Sequence, residues 1–390
     1  MRRSPIAVLL VLTSLASTLA WVRPAAGCPF CGVVGQSLAQ RRDAAAAVAV
    51  GEASATAATD AEGFLAQPFR IDQWLGPRPA AGTDVGIGTV VPAEVGGPIV
   101  GTAVLFGTRV GDGRPPERLR WSAVVADEAL LGHVVAAPAF TAPAADRLRW
   151  FASRLEHPDP SIAADAFTEF ALADYSAVRA AADAVDAPRL RGWLGEPGID
   201  PRRRGLYALL LGILAARSID AAEHEANLTA LRGFIDTPAD DFRMGFDGGL
   251  AGLLVAEGAR GLEALRQRGL FDPGSRALDQ RHLLAALRFA AESLGDSIPR
   301  AQVAAATAAL LASPAVAADA AIDLARYRHW DAWEDVAALW DSIGRDDPLV
   351  RRAVAGYLAA CPLPAAARRL DALRQQDPQR AEAALEAAGR

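Results

Sequence analysis

The chain has no lysine: all 40 of its basic residues are arginine. Two causes give that pattern. One is selection for bidentate pairing, which arginine does and lysine does not. The other is a GC-rich genome, which also accounts for the load of Ala, Gly and Pro. Aromatic residues make up only 6% of the chain, so long helices closely packed through small side chains fit better than an aromatic-rich β fold. No basic block of the kind a nucleic-acid groove requires is present. The three cysteines fall short of the four ligands of a structural zinc site. The five histidines, His133, His157, His224, His282 and His329, occupy different predicted elements. His224 with Glu223 and Glu225 reads as a solvated helix face. No Gly-x-Ser-x-Gly, phosphate-binding loop or His-Glu-x-x-His occurs. Gly86-Ile87-Gly88 lacks the third glycine and the helix of a dinucleotide site. No catalytic set, metal site or cofactor is therefore expected.

What is present begins at the N-terminus. Arg2 and Arg3 lead into an apolar run from Ile6 to Val22, followed by small residues up to Gly27. This reads as an export signal over 1–27. Removing Arg2, Arg3 and Arg23 from the 40 basic residues leaves 37 against 46 acids, a balance of −9. The expected address is exported: periplasmic, cell-envelope or extracellular. Cys28-Pro29-Phe30-Cys31 follows at once, in a compartment where disulfides persist. Cys28 and Cys31 have three readings: a structural disulfide, lipidation of Cys28 as a membrane anchor, or redox exchange. A thioredoxin-type fold would need a strand before the motif, and haem attachment a histidine where Gly32 stands. Cys361 reads as a small buried hydrophobe. Asn227-Leu228-Thr229 is a glycosylation sequon. No later segment is long and apolar enough to span a membrane: 206–216 is too short, and Asp319 interrupts 301–325.

Pro143 divides the rest. Residues 28–142 are rich in Gly and Pro with short alternating segments, and 143–390 is a series of helical patterns. In the first part a short helix is expected over 32–42. Strands are expected from Val48, around Phe69 and Ile71, over 85–91, through Val104 and Phe106, and from Leu119 to Val125. That makes a small all-β barrel or sandwich. In the second part, helices are expected over 147–157, 161–173, 202–217, 219–235, 275–294, 299–312, 315–328, 331–343, 348–360 and 364–375. They come in pairs spaced by about 35–45 residues, the range of helical repeats. Asp331 with Glu334 reads as a capping box, with Trp333, Ala337, Trp340 and Ile343 on one buried stripe. Trp330, just outside that helix, is the candidate for an exposed aromatic binding face.

The Cys28 start, the VAVGEA strand, FRIDQWLGP and GTAVLFGTRV resemble the netrin-like, OB-type domain of tissue inhibitors of metalloproteinases. In that family the terminal amine and first cysteine reach a protease zinc, but its members begin Cys-x-Cys and pair with distant cysteines absent here. LEHPDPSIAADAF and GRDDPLVRRAVAGYL resemble HEAT-type repeats, in which Asp-Pro opens a helix. The resemblances imply a small β barrel followed by an α-helical solenoid. The expected function is that of an exported non-catalytic binding or scaffold protein. Its expected partner is an unidentified protein, with the cell envelope as a candidate source, and not nucleic acid. Thiol–disulfide exchange by Cys28 and Cys31, and protease inhibition of netrin-like type, are the alternatives.

Overall fold

A computed structural model of the chain describes residues 35–389, except 61, 80–83 and 112–117. The expected signal, Cys28 and Cys31 lie outside the described residues. Residues 35–37 are not helical, so the first helix, α1 (Leu38–Ala44), starts later than the pattern suggests. The Ser37 side chain sets that start by accepting the Gln40 amide at 3.1 Å.

Six strands follow: β1 (Ala47–Ala53), β2 (Ala58–Thr59), β3 (Leu65–Trp74), β4 (Val90–Glu94), β5 (Thr102–Val110) and β6 (Arg118–Val125). Five of them close in the order β1-β5-β6-β4-β3 and back to β1, and β2 adds to β3. Closure decides between the two expected shapes: this is a barrel and not a sandwich. Every pairing is antiparallel except β4 with β6. The strand expected over 85–91 begins only at Val90. Gly88, at φ 85°, turns the chain there, and Ile87 points to solvent.

The barrel interior holds Ala47, Ala49, Phe69, Ile71, Val91, Leu105 and Trp121. The alternate residues of β1 and β5 do not face water. Val48, Val104 and Phe106 pack with Leu38 of α1 and with Leu130, Val134 and Ile162. That face is covered by α1, by α2 (Glu128–Ala136) and by a helix further on. The chain thus changes from strand to helix between Val125 and Glu128, ahead of Pro143.

From Pro143 the chain is helical: α3 (Ala144–Ala152), α4 (Pro160–Leu172), α5 (Tyr175–Ala181), α6 (Ala187–Gly195), α7 (Pro201–Arg217), α8 (Ala221–Asp236), α9 (Phe246–Glu257), α10 (Ala259–Gln267), α11 (Ala277–Ser293), α12 (Arg300–Ala309), α13 (Ala317–Tyr327), α14 (Trp333–Ala338), α15 (Pro348–Ala360), α16 (Pro364–Gln376) and α17 (Pro378–Gly389). Aspartates start many of them. Asp159, Asp186, Asp200 and Asp347 each accept a first-turn amide, with proline at one of the first two helical positions. From α3 to α17 each odd-numbered helix contacts the next odd-numbered one, and most of the even-numbered helices contact a member of that series. One continuous apolar core runs through the series.

The helix expected over 331–343 is broken. Short 3₁₀ turns at Trp330–Ala332 and Leu339–Asp341 flank α14. Ala332 caps α14 and Asp331 does not, so the capping box is absent. The turn is held instead by Trp330, which packs edge-on against Tyr357 at 5.3 Å. Trp340 is buried as the stripe requires, and Trp333 is half-buried.

Candidate functional site

A concavity of about 740 Å³ lies in the helical part, between α6, α7, α8 and the 237–245 connection into α9. Small residues set the close packing of α7 and α9 beside it. Gly248 and Gly252 of α9 lie on Gly205 and Ala208 of α7, so near that a Cβ on Gly252 would stand 2.4 Å from the Ala208 carbonyl oxygen. Gly245, at φ 85°, turns the connection into α9. The connection before α9 supplies Thr237, Ala239, Asp241, Phe242, Arg243 and Met244 to the cavity lining.

That loop is pinned by two partly exposed arginines, Arg243 and Arg276. Arg243 sits in the left-handed region at φ 52°, which a non-glycine residue rarely occupies. Its Nη2 donates to the Ile235 and Thr237 carbonyls at 2.6 and 3.1 Å, and its Nη1 to Asp279 at 3.1 Å. Its guanidinium lies 3.5 Å from the centre of the Phe246 ring. Arg276 donates to the carbonyls of Ala239, Asp240 and Asp241. His282 Nε2 donates to the Phe242 carbonyl at 2.8 Å, and its ring packs against Phe242 at 4.7 Å, tilted by 57°. Burial of His282 works against its charged form. The bonds to Asp247 and the Phe242 carbonyl, with Asp247 and Asp279 nearby, outweigh it and hold the imidazole above its ordinary pKa. The loop so held presents Phe242 and Met244, which are 53% and 44% exposed.

The cavity wall is largely apolar, with Leu194, Phe234, Phe242 and Met244 among its residues. Three arginines join them. Arg191 is paired with Glu223 at 2.7 Å and Arg243 with Asp279. Arg204 is different. Its Nη2 makes only long contacts, 3.3 and 3.4 Å, to the Glu196 and Pro197 carbonyls, and its buried Nε has no partner. Among the described residues no carboxylate pairs with Arg204.

A second polar cluster sits where the barrel meets the helices. Asp165 accepts the Leu38 amide at 2.7 Å and contacts His133 Nε2 at 2.8 Å. Glu169 accepts the Ser37 hydroxyl, and Arg147 Nε at 3.1 Å. All five side chains are buried, and Trp150 and Phe151 pack on the His133 ring at 5.2 and 5.7 Å. Serine, histidine and carboxylates together suggest nucleophilic catalysis. The pairing is not that of a serine–histidine–acid triad: Ser37 meets Glu169 while His133 meets Asp165, so no imidazole stands on the hydroxyl. This cluster ties α1 to α4.

The residues singled out in the sequence are not brought together. Cys28 and Cys31 lie outside the described residues. Cys361 is a buried free thiol. Trp330 is half-buried against Tyr357, whose hydroxyl donates to the His329 carbonyl at 2.5 Å. Glu223 and Glu225 beside His224 are engaged by Arg191 and Arg232. Among the described residues no group of three or more His, Cys, Asp or Glu is placed to hold a metal ion, and no helix is long and apolar enough to cross a membrane. Sequence reasoning missed the 237–245 loop. The signal was there: Phe242, Met244 and Phe246 fall within five positions in a chain with two methionines and 6% aromatics. No protein-family model and no curated protein matches this chain.

Proposed function

We propose that this is an exported, non-catalytic binding or scaffold protein that engages its partner through the helical part. The observation that carries the reading is the cavity with its pinned Phe242 and Met244, set in a continuous series of helices. The contact of each odd helix with the next, the even helices against them and the Asp-Pro starts support a HEAT-type solenoid, an architecture that offers long binding surfaces. The closed order β1-β5-β6-β4-β3, with one parallel contact, supports an OB-type barrel. Arg2, Arg3 and the apolar run support export, with the mature chain starting at or near Cys28.

The test has two arms. Mass spectrometry of the protein from its host's envelope fraction should find a chain lacking 1–27. Intact Met1 on cytoplasmic protein with free thiols refutes export. In the second arm, affinity capture from that fraction is compared between the natural chain and a Phe242→Ser/Met244→Ser variant of equal stability. Identical captured material refutes the assigned surface. The barrel order also favours a second reading, protease inhibition of netrin-like type. It requires a free amine on Cys28, and a lipidated Cys28 in the same spectra rules it out.

A further inference from the structure

We infer that the cavity between α6, α7, α8 and the 237–245 loop binds a small amphipathic carboxylate, its apolar body against Phe234, Phe242 and Met244 and its anionic end on Arg204. The assignment rests on the binding reading above and gives it a ligand class. Size comes first. About 740 Å³ lies within the roughly 300–1,000 Å³ range of small-molecule sites. Polarity comes second, because a wall rich in leucine, phenylalanine and methionine rewards an apolar body.

Charge decides the head group. Of the three arginines on the wall, Arg191 and Arg243 already hold Glu223 and Asp279. Arg204 holds only two distant carbonyls and leaves its Nε unpartnered. A guanidinium with no counter-charge beside an apolar wall favours an anion, and a carboxylate accepts charge-assisted hydrogen bonds from its terminal nitrogens. The only acid on the wall, Asp241, has its Oδ1 turned back to the Arg243 amide at 2.8 Å, so it does not neutralise Arg204. A cationic amphiphile would be repelled by Arg204, and a neutral one would leave it without a counter-charge.

The loop supplies the second, independent observation. A non-glycine residue at φ 52° persists only where surrounding contacts over-determine it. Here a carboxylate and two carbonyls fix Arg243, three carbonyls hold Arg276, and the result is two exposed apolar side chains at the cavity mouth. Such fixing lowers the ordering cost of binding.

The test is calorimetric titration of the purified chain with decanoate, 1-decanol and decyltrimethylammonium, all below their aggregation concentrations. Decanoate should bind one to one and at least about tenfold more tightly than the alcohol or the cation, as a charge-assisted hydrogen bond requires. Arg204→Gln should weaken decanoate by about tenfold or more and leave 1-decanol unchanged. Should that variant fold poorly, Met244→Glu puts a negative charge at the mouth and should weaken decanoate selectively. No binding of decanoate, equal binding of acid and alcohol, or an unchanged decanoate affinity in both variants overturns the assignment. If decanoate fails while the Phe242→Ser/Met244→Ser variant still loses its captured partner, the ligand class is wrong and the binding reading stands.

Discussion

Replacing Glu169 by glutamine removes one charge at the junction of barrel and helices and almost no volume. Glu169 is fully buried and its partner Arg147 has a side chain only 6% exposed, so water cannot take over the lost pairing. Breaking a buried ion pair from one side costs about 3–5 kcal/mol, because the remaining charge stays desolvated. Two features place this case at the low end. Arg147 keeps the carbonyls of Phe140 and Ala142 at 2.8 and 3.0 Å. Glutamine also keeps one oxygen, which can hold either the Ser37 hydroxyl or Arg147. A loss of about 3 kcal/mol is therefore expected, a large fraction of an ordinary folding free energy. Urea unfolding followed by far-ultraviolet circular dichroism measures it. Asp146→Asn is the internal control. It breaks an ion pair to Arg149 whose side chains are 66% and 45% exposed, and should shift stability by less than about 1 kcal/mol. If Glu169→Gln stays within about 0.5 kcal/mol of the natural protein, the cluster is solvated and does not clamp α1 to α4.

Trp340→Ala should cost about 3–5 kcal/mol by the same unfolding assay, since the indole is buried in the helical core; an unchanged midpoint refutes its place there. Gly252→Ala should cost about 1–3 kcal/mol or more, because the new methyl meets the Ala208 backbone at 2.4 Å and backbone yields poorly; a stabilised variant would mean that α7 and α9 stand further apart. His282 faces Asp247 on α9 and Asp279 on its own helix, the latter shared with Arg243 and Arg276, and these groups hold its pKa above the ordinary 6.5. Its stabilising contribution is then complete below about pH 6.5 and disappears as pH rises through the higher folded value. Melting temperatures should fall over that window in the natural protein and not in His282→Gln; parallel curves refute the coupling.

Elements were legible where one local signal dominated. Asp347-Pro348 places the start of α15 to the residue, because proline pre-sets the first turn and aspartate accepts its free amides. Period two found β3, where Phe69 and Ile71 point inward and Arg70 outward. It failed to say that both faces of β5 are buried: Ala103 and Leu105 line the barrel while Val104 and Phe106 meet the helices. Alternation predicts a water-facing side, and that side here is covered by elements that sequence order does not reveal. Similarly, Thr89 and Val91 share a parity with Ile87, but Gly88 turns the chain between them.

The site was harder to read for a related reason. Cavity walls come from α6, α7, α8 and a loop, spread over residues 191–246, and no short spacing links them. Local pattern reading passed over 237–245 because Pro238, the Asp240-Asp241 pair and Gly245 look like a connection, which they form. What makes the connection more than a linker is non-local: Arg276 at the N-cap of α11 and His282 within α11 bond its carbonyls. The arginine-only composition gains a physical role here. Arg243 and Arg276 bind three and three acceptors through planar forks, which a lysine ammonium cannot reproduce in the same geometry. Whatever genome bias placed arginine at these positions, the loop now depends on its shape. Arg243→Lys should therefore loosen Phe242 and Met244 even though the charge is kept.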